Sequence, residues 1–181
     1  MRKVVTTLLF LIMCASLAFS MQTPTAWIKY DSAEGRYTVS LPAQPTLKTQ
    51  EAMTNSGEKF TQYMATAVDG NTVYMIGYFD YQPPTTFSLE KARDGMLASV
   101  KGTLLKENLI SLGGYSGLEF DVSAAAANGT EYLVRVRAYD VDKRVYILQF
   151  LYLKALTEDV VRARATKYFD SFHVKKPVSG S

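Results

Sequence analysis

The chain has 181 residues, 48% of them hydrophobic, with 20 Lys and Arg against 17 Asp and Glu and a net charge of +3. This near balance excludes the basic stripe of a nucleic-acid binder and the polybasic surface drawn to anionic lipid. The single cysteine, Cys14, lies near the N-terminus, which excludes a disulfide framework for the body of the chain.

Arg2 and Lys3 precede an apolar run over 4–19 that is broken only by Thr6, Thr7, Cys14 and Ser16. A short basic region before such a run predicts a cleavable signal peptide over 1–20. Ala18 and Ser20 frame the cleavage site, so the mature chain begins at Met21. A membrane anchor is the alternative, but the run is shorter than the roughly 20 residues that span a bilayer. Polar Gln22 and Thr23 follow it at once. Lipidation of Cys14 is disfavoured by bulky Met13, which sits where a lipoprotein box needs a small residue. The expected location is periplasmic or secreted, with no transmembrane segment after cleavage and no cysteine left in the mature domain.

Strands are predicted over 27–31 and 36–41, joined by a turn at Ala33-Glu34-Gly35. In the second, Tyr37, Val39 and Leu41 alternate with polar residues, as in a half-buried strand. Pro42 and Pro45 punctuate, then strands follow over 47–53, 59–67 and 72–80. Turn signals at 54–58 and at Asp69-Gly70-Asn71 separate them. Pro83 and Pro84 end this run, because proline removes ladder donors.

A first helix is predicted over 88–101, with Ser88 as cap, a stripe of Leu89, Ala92, Met96 and Val100, and Gly102 as stop. Strands over 104–112, 118–124, 132–141 and 144–153 come next. A second helix over 158–172 is capped by Thr157, with Glu158 and Asp159 in its first turn. Its stripe is Val161, Ala165, Tyr168, Phe169 and Phe172. The polar tail over 175–181 reads as disordered.

Residues 73–79 and 145–152 are apolar on both faces, so both must be covered. Two helices are available, which predicts an α+β domain over 21–174: a mostly antiparallel β-sheet with helices on both faces, an α/β/α sandwich. Around Asn128-Gly129, a two-residue turn would set Phe120 against Arg137. A three-residue loop, Ala127-Asn128-Gly129, instead pairs Phe120 with Val136, Glu119 with Arg137 and Asp121 with Arg135. It predicts a left-handed Gly129.

Short patches across the chain resemble the PsbP-like family, in particular its uncharacterised exported bacterial members. They are Glu34-Gly35-Arg36-Tyr37-Thr38-Val39-Ser40-Leu41-Pro42 with Pro45, and Ala92-Arg93-Asp94-Gly95. Further along come Gly114-Tyr115-Ser116-Gly117-Leu118-Glu119-Phe120, Arg144-Val145-Tyr146 and Lys167-Tyr168-Phe169-Asp170-Ser171-Phe172. The resemblance implies a helix-covered antiparallel sheet and a non-enzymatic role in an envelope or membrane-associated assembly. Some photosynthetic members bind metal through histidines; His173 is the only histidine here, so that role is not carried over.

Gly114-Tyr115-Ser116-Gly117 falls one glycine short of a nucleophile elbow, with Leu118 in the last place. Ser116, Asp140 and His173 run in hydrolase order, so an exported serine hydrolase using Ser116 and His173 is the alternative function. A strand rather than a helix follows Ser116, which favours a Gly-rich turn between strands. Glu119 and Asp121 share one strand face, as a glycosidase pair would, but cross-strand ion pairing is the plainer expectation. His173 is expected to end the second helix, where a cation complements the dipole. Asn128-Gly129-Thr130 reads as a turn before a glycosylation acceptor. Tyr74, Tyr78, Tyr139, Tyr146 and Tyr152 are expected to be core rather than a ligand surface. No catalytic, metal or cofactor residue is assigned. The expected partner is an envelope protein or a small ligand, not nucleic acid.

Overall fold

The computed structural model describes residues 26–53, 59–82, 87–156 and 158–175. The signal peptide expected over 1–20, the turn expected at 54–58, the proline break expected at 83–86, the expected Thr157 cap and the tail beyond Lys175 lie outside the described residues. The first hairpin is β1 (Ile28–Ser32) and β2 (Tyr37–Leu41). A meander of β3 (Thr46–Met53), β4 (Lys59–Asp69) and β5 (Thr72–Asp80) leads to α1 (Leu89–Val100). A second meander follows: β6 (Thr103–Leu112), β7 (Tyr115–Ala125), β8 (Glu131–Val141) and β9 (Arg144–Leu153). The chain closes with α2 (Glu158–Asp170) and β10 (His173–Val174).

The two meanders join where β5 pairs with β9, giving a seven-stranded sheet of order β3-β4-β5-β9-β8-β7-β6. All its pairings are antiparallel. The two segments that are apolar on both faces are thus neighbours at its middle, where most of their side chains are buried. The fold is α+β and mostly antiparallel, as expected, but there are two sheets rather than one. The first hairpin separates into a three-stranded sheet of order β1-β2-β10. Its third strand is the unexpected β10, which places His173 opposite Thr38 rather than at a helix end.

Strand alternation divides the core. Tyr146, Leu148, Phe150 and Tyr152 of β9 cluster with Tyr37, Val39 and Leu41 of β2 and with the α2 stripe of Val161, Ala165, Tyr168 and Phe169. Val145 and Ile147, which point the other way, cluster with Phe79, Val134, Val136 and Met96 of α1. The small sheet therefore packs on the α2 side. Polar bonds pin it there: the Tyr146 hydroxyl donates to the Gly35 carbonyl at 2.8 Å.

Local chemistry sets the ends of α1. Ser88 Oγ accepts from the Lys91 amide at 3.1 Å, a true N-cap. The left-handed residue after it is Lys101, at φ 50°, not the expected Gly102. β7 starts at Tyr115, three residues earlier than its pattern suggested, so Ser116 lies in a strand and only Gly113 and Gly114 turn. At the next hairpin the Ala126 amide donates to the Thr130 carbonyl at 2.9 Å, closing the loop Ala127-Asn128-Gly129 with Gly129 at φ +81°. Phe120 then faces Val136 and Val122 faces Val134, the register that keeps apolar residues on one side.

Candidate functional site

The small sheet overlies only part of the large one. β1 is its outer strand, and β3 is the outer strand of the sheet beneath. Between them lies a cleft of about 250 Å³. Register explains its floor: Leu47 pairs with Ala65 and Thr49 with Tyr63, while Tyr63 pairs onward with Tyr78, so all five share one face. Tyr30 and Ser32 of β1, Glu34 of the turn and Tyr37 of β2 line it from the small sheet, and Lys48 and Met64 border it as well.

The rings in the cleft are packed against one another. Tyr63 and Tyr78 stack with centroids 4.8 Å apart and planes 9° from parallel. Tyr37 meets Tyr78 edge-on at 6.2 Å and Tyr30 at 6.1 Å. Tyr37 and Tyr78 are 2% and 6% exposed, whereas Leu47 at the mouth is 64% exposed. Burial pushes the Tyr78 phenol up to about 12, against the opposing pull of Arg144, and raises Tyr37 further, so both rings stay neutral at physiological pH.

Arg144 lies behind the Tyr78 ring of the floor. Its guanidinium grips Asp80 with two bonds of 2.6 and 2.7 Å, donates to the Glu34 carbonyl at 2.7 Å and sits 4.6 Å from the Tyr78 ring centre. The Arg144 bonds hold the Asp80 carboxyl below its ordinary range. Lys175 pairs with Asp31 at the same hairpin. Most charge around the cleft is therefore matched, and Glu34 and Lys48 add one of each sign to its lining.

The chemistry candidates are dispersed or engaged. Glu119 accepts from Arg137 at 2.6 Å, and Asp121 is held by Arg135 at 2.9 and 3.1 Å, so neither carboxylate is free. Arg137 also reaches Asp170 at 3.1 Å and lies over the Phe169 ring at 4.8 Å. Ser116 and Asp140 fall by alternation on the α1 side, where the Tyr81 hydroxyl donates to Asp140 at 2.9 Å. His173 sits in the small sheet, on the other side of the seven-stranded sheet, and is exposed. The nucleophile and the base of the hydrolase order thus do not meet. Gly117 has its own structural role: a Cβ there would lie 2.5 Å from the Tyr139 ring.

The five tyrosines singled out by sequence are all buried in the core, and only Tyr78 touches the cleft. Tyr30, Tyr37, Tyr63 and Leu47 were not singled out; their alternation was legible, but their convergence depends on how the two sheets stack. Among the described residues no group of three or more His, Cys, Asp and Glu could hold a metal ion, and no helix is long and apolar enough to cross a membrane.

This two-sheet, two-helix arrangement is a PsbP-like fold. Cyanobacterial PsbP (CyanoP) from Synechocystis sp. superposes with a TM-score of 0.57 at 9% identity, over 87% of this chain and 97% of that one. A Pseudomonas aeruginosa protein of unknown function gives 0.46 at 14% identity, over 84% and 99%. LpqN of Mycobacterium tuberculosis, involved in cell envelope biogenesis, gives 0.39 at 12%, over 77% and 91%. The last two scores are too low to bear on function, and the first bears on fold alone. No protein-family model matches the chain, and no curated protein matches it in sequence.

Proposed function

We propose that this protein is a non-enzymatic binding or assembly module of the bacterial cell envelope, exported by a signal peptide over 1–20 and folded as one domain over 21–174. The observation that carries the proposal is that the acid–base candidates are either held in ion pairs and hydrogen bonds or kept apart. Glu119, Asp121 and Asp80 are each ion-paired, Tyr81 holds Asp140, and the sheet separates Ser116 from His173. What the surface offers instead is a concave, largely apolar cleft with balanced charge, the kind of feature that binds. In this proposal α1 and α2 each cover one face of the seven-stranded sheet, which the division of β9 between two clusters supports.

Capture of partners from an envelope extract by the tagged full chain tests the proposal. One reproducible partner is expected, with no ester turnover. Hydrolysis of esters that disappears in both Ser116→Ala and His173→Ala would overturn it and establish the hydrolase alternative.

A further inference from the structure

We propose that the free edge of β1, above the floor of Leu47, Tyr63 and Tyr78, docks an extended, uncharged segment of a partner protein as an added strand. This docking site rests on the binding-module proposal above and names the place and the chemistry of the partner.

β1 is hydrogen-bonded to β2 on one side only. Among the described residues no strand pairs with its outer edge, whose backbone N–H and C=O groups another strand would satisfy most directly. A strand added there would lie over β3 and β4 and cover the cleft floor. Side chains of a strand alternate, so every second residue of the incoming segment would point down onto Leu47 and Tyr63. Leu47, 64% exposed, is the apolar group left uncovered at that position. Five residues at about 3.3 Å each span roughly 17 Å, so a segment of about five residues matches β1.

Charge and ring geometry narrow the partner further. Arg144 is satisfied by Asp80, and Lys175 by Asp31, while Glu34 and Lys48 bring one charge of each sign to the lining. A charged segment would gain no net attraction, so an uncharged one with apolar residues at alternate positions fits best. A saccharide is a poorer match, because sugars stack on open ring faces. Here Tyr63 lies face to face on Tyr78, and Tyr37 and Tyr78 are almost fully buried. On the large sheet's far side the edge strand β6 is interrupted by a bulge between Leu104 and Lys106, a device that discourages added strands.

The test titrates acetylated, amidated hexapeptides that alternate Val, Ile, Tyr or Phe with Thr, Ser or Gln into the ¹⁵N-labelled full chain. The expected result is saturable shifts of the Ile28–Ser32 amides with slowed hydrogen exchange there. N-methylation of alternate peptide amides should abolish binding in one phase and spare it in the other. Leu47→Lys, at an exposed position that leaves folding intact, should weaken binding about tenfold or more, and Leu109→Lys on β6 should not. The inference fails if no peptide binds more tightly than about 1 mM, if both N-methyl phases bind equally, if the shifts map to β6, or if an N-acetylglucosamine trisaccharide shifts the cleft and the peptides do not. If an envelope partner is captured equally well by wild type and Leu47→Lys, the docking site falls while the binding-module proposal stands. Ser116-dependent ester turnover would remove the proposal itself.

Discussion

Replacing Phe169 with Ala should remove the main seal between α2 and the sheet. The ring is 4% exposed, packs 6.4 Å from Phe150 and 5.1 Å from Tyr168, and carries the Arg137 guanidinium on its face. Truncating a buried Phe costs about 3–5 kcal/mol, the spread reflecting how far the cavity collapses. α2 is held at both ends, by the strand β9 before it and by β10 after it, so collapse is restricted. Loss of the cation–π contact adds about 0.5–1 kcal/mol, the lower range because Arg137 is partly solvated and keeps Glu119 and Asp170. The expected total is about 4 kcal/mol, a large part of the 5–15 kcal/mol typical of a domain. With a urea slope of about 2 kcal/mol/M, the unfolding midpoint should fall by about 2 M. Phe169→Leu keeps most of the volume and should cost about 1.5 kcal/mol or less. A double-mutant cycle with Arg137→Met isolates the ring–guanidinium part. A loss below about 1 kcal/mol for Phe169→Ala would show that α2 does not bury this ring.

Gly129→Val should cost about 1–3 kcal/mol from strain at φ +81° alone, since nothing lies within 4 Å of its added Cβ. Gly129→Asn should cost clearly less, and equal costs in urea melts would refute the left-handed turn. Gly117→Ala should cost about 1–3 kcal/mol by driving the Tyr139 ring off Phe172, while neighbouring Ser116→Ala should stay within about 0.5 kcal/mol. The reverse order would show that Tyr139 does not press on Gly117. Asp80 has its carboxyl lowered by Arg144, so the stability it contributes is present above the unfolded value near 4 and is lost as pH falls through the lower folded value. Asp80→Asn should therefore flatten the acid limb of a stability–pH curve, and an unchanged limb would show that the pair does not form.

Much of the large sheet was legible because its signals are local. The hairpin at Gly129 is the clearest case: period-two alternation in β7 and β8 admits one register, and charge matching of Glu119 with Arg137 and Asp121 with Arg135 agrees with it. The double-faced apolar runs marked β5 and β9 as inner strands, although nothing in them says that they pair with each other. What escaped was non-local. β10 is two residues long and forms only because the chain leaving α2 meets β2, so a local pattern places His173 at a helix end instead. The split of β1 and β2 into their own sheet escaped for a similar reason: their alternation is that of any half-buried strand, and a pattern does not say which sheet it joins.

The cleft illustrates why a binding surface is harder to read than a catalytic one. An elbow or a metal motif concentrates its chemistry within a few residues, so Gly114-Tyr115-Ser116-Gly117 could be weighed and set aside on local context. Its glycines then proved to serve the β6–β7 turn and the close approach of Tyr139. The cleft instead gathers Tyr30, Tyr37, Leu47, Tyr63 and Tyr78 from five strands and two sheets. Each alone is an ordinary strand residue. Arg144 brings them into one surface by tying Asp80 of β5 to the Glu34 carbonyl of the first turn, which fixes the small sheet's position over the large one. Arg144 and the Glu34 segment were both among the patches resembling the PsbP-like family, yet their pairing across the two sheets was invisible in sequence. Two of those patches, Glu34-Gly35 and Arg144-Val145-Tyr146, supply that lock through the Arg144 bond to the Glu34 carbonyl and the Tyr146 bond to the Gly35 carbonyl.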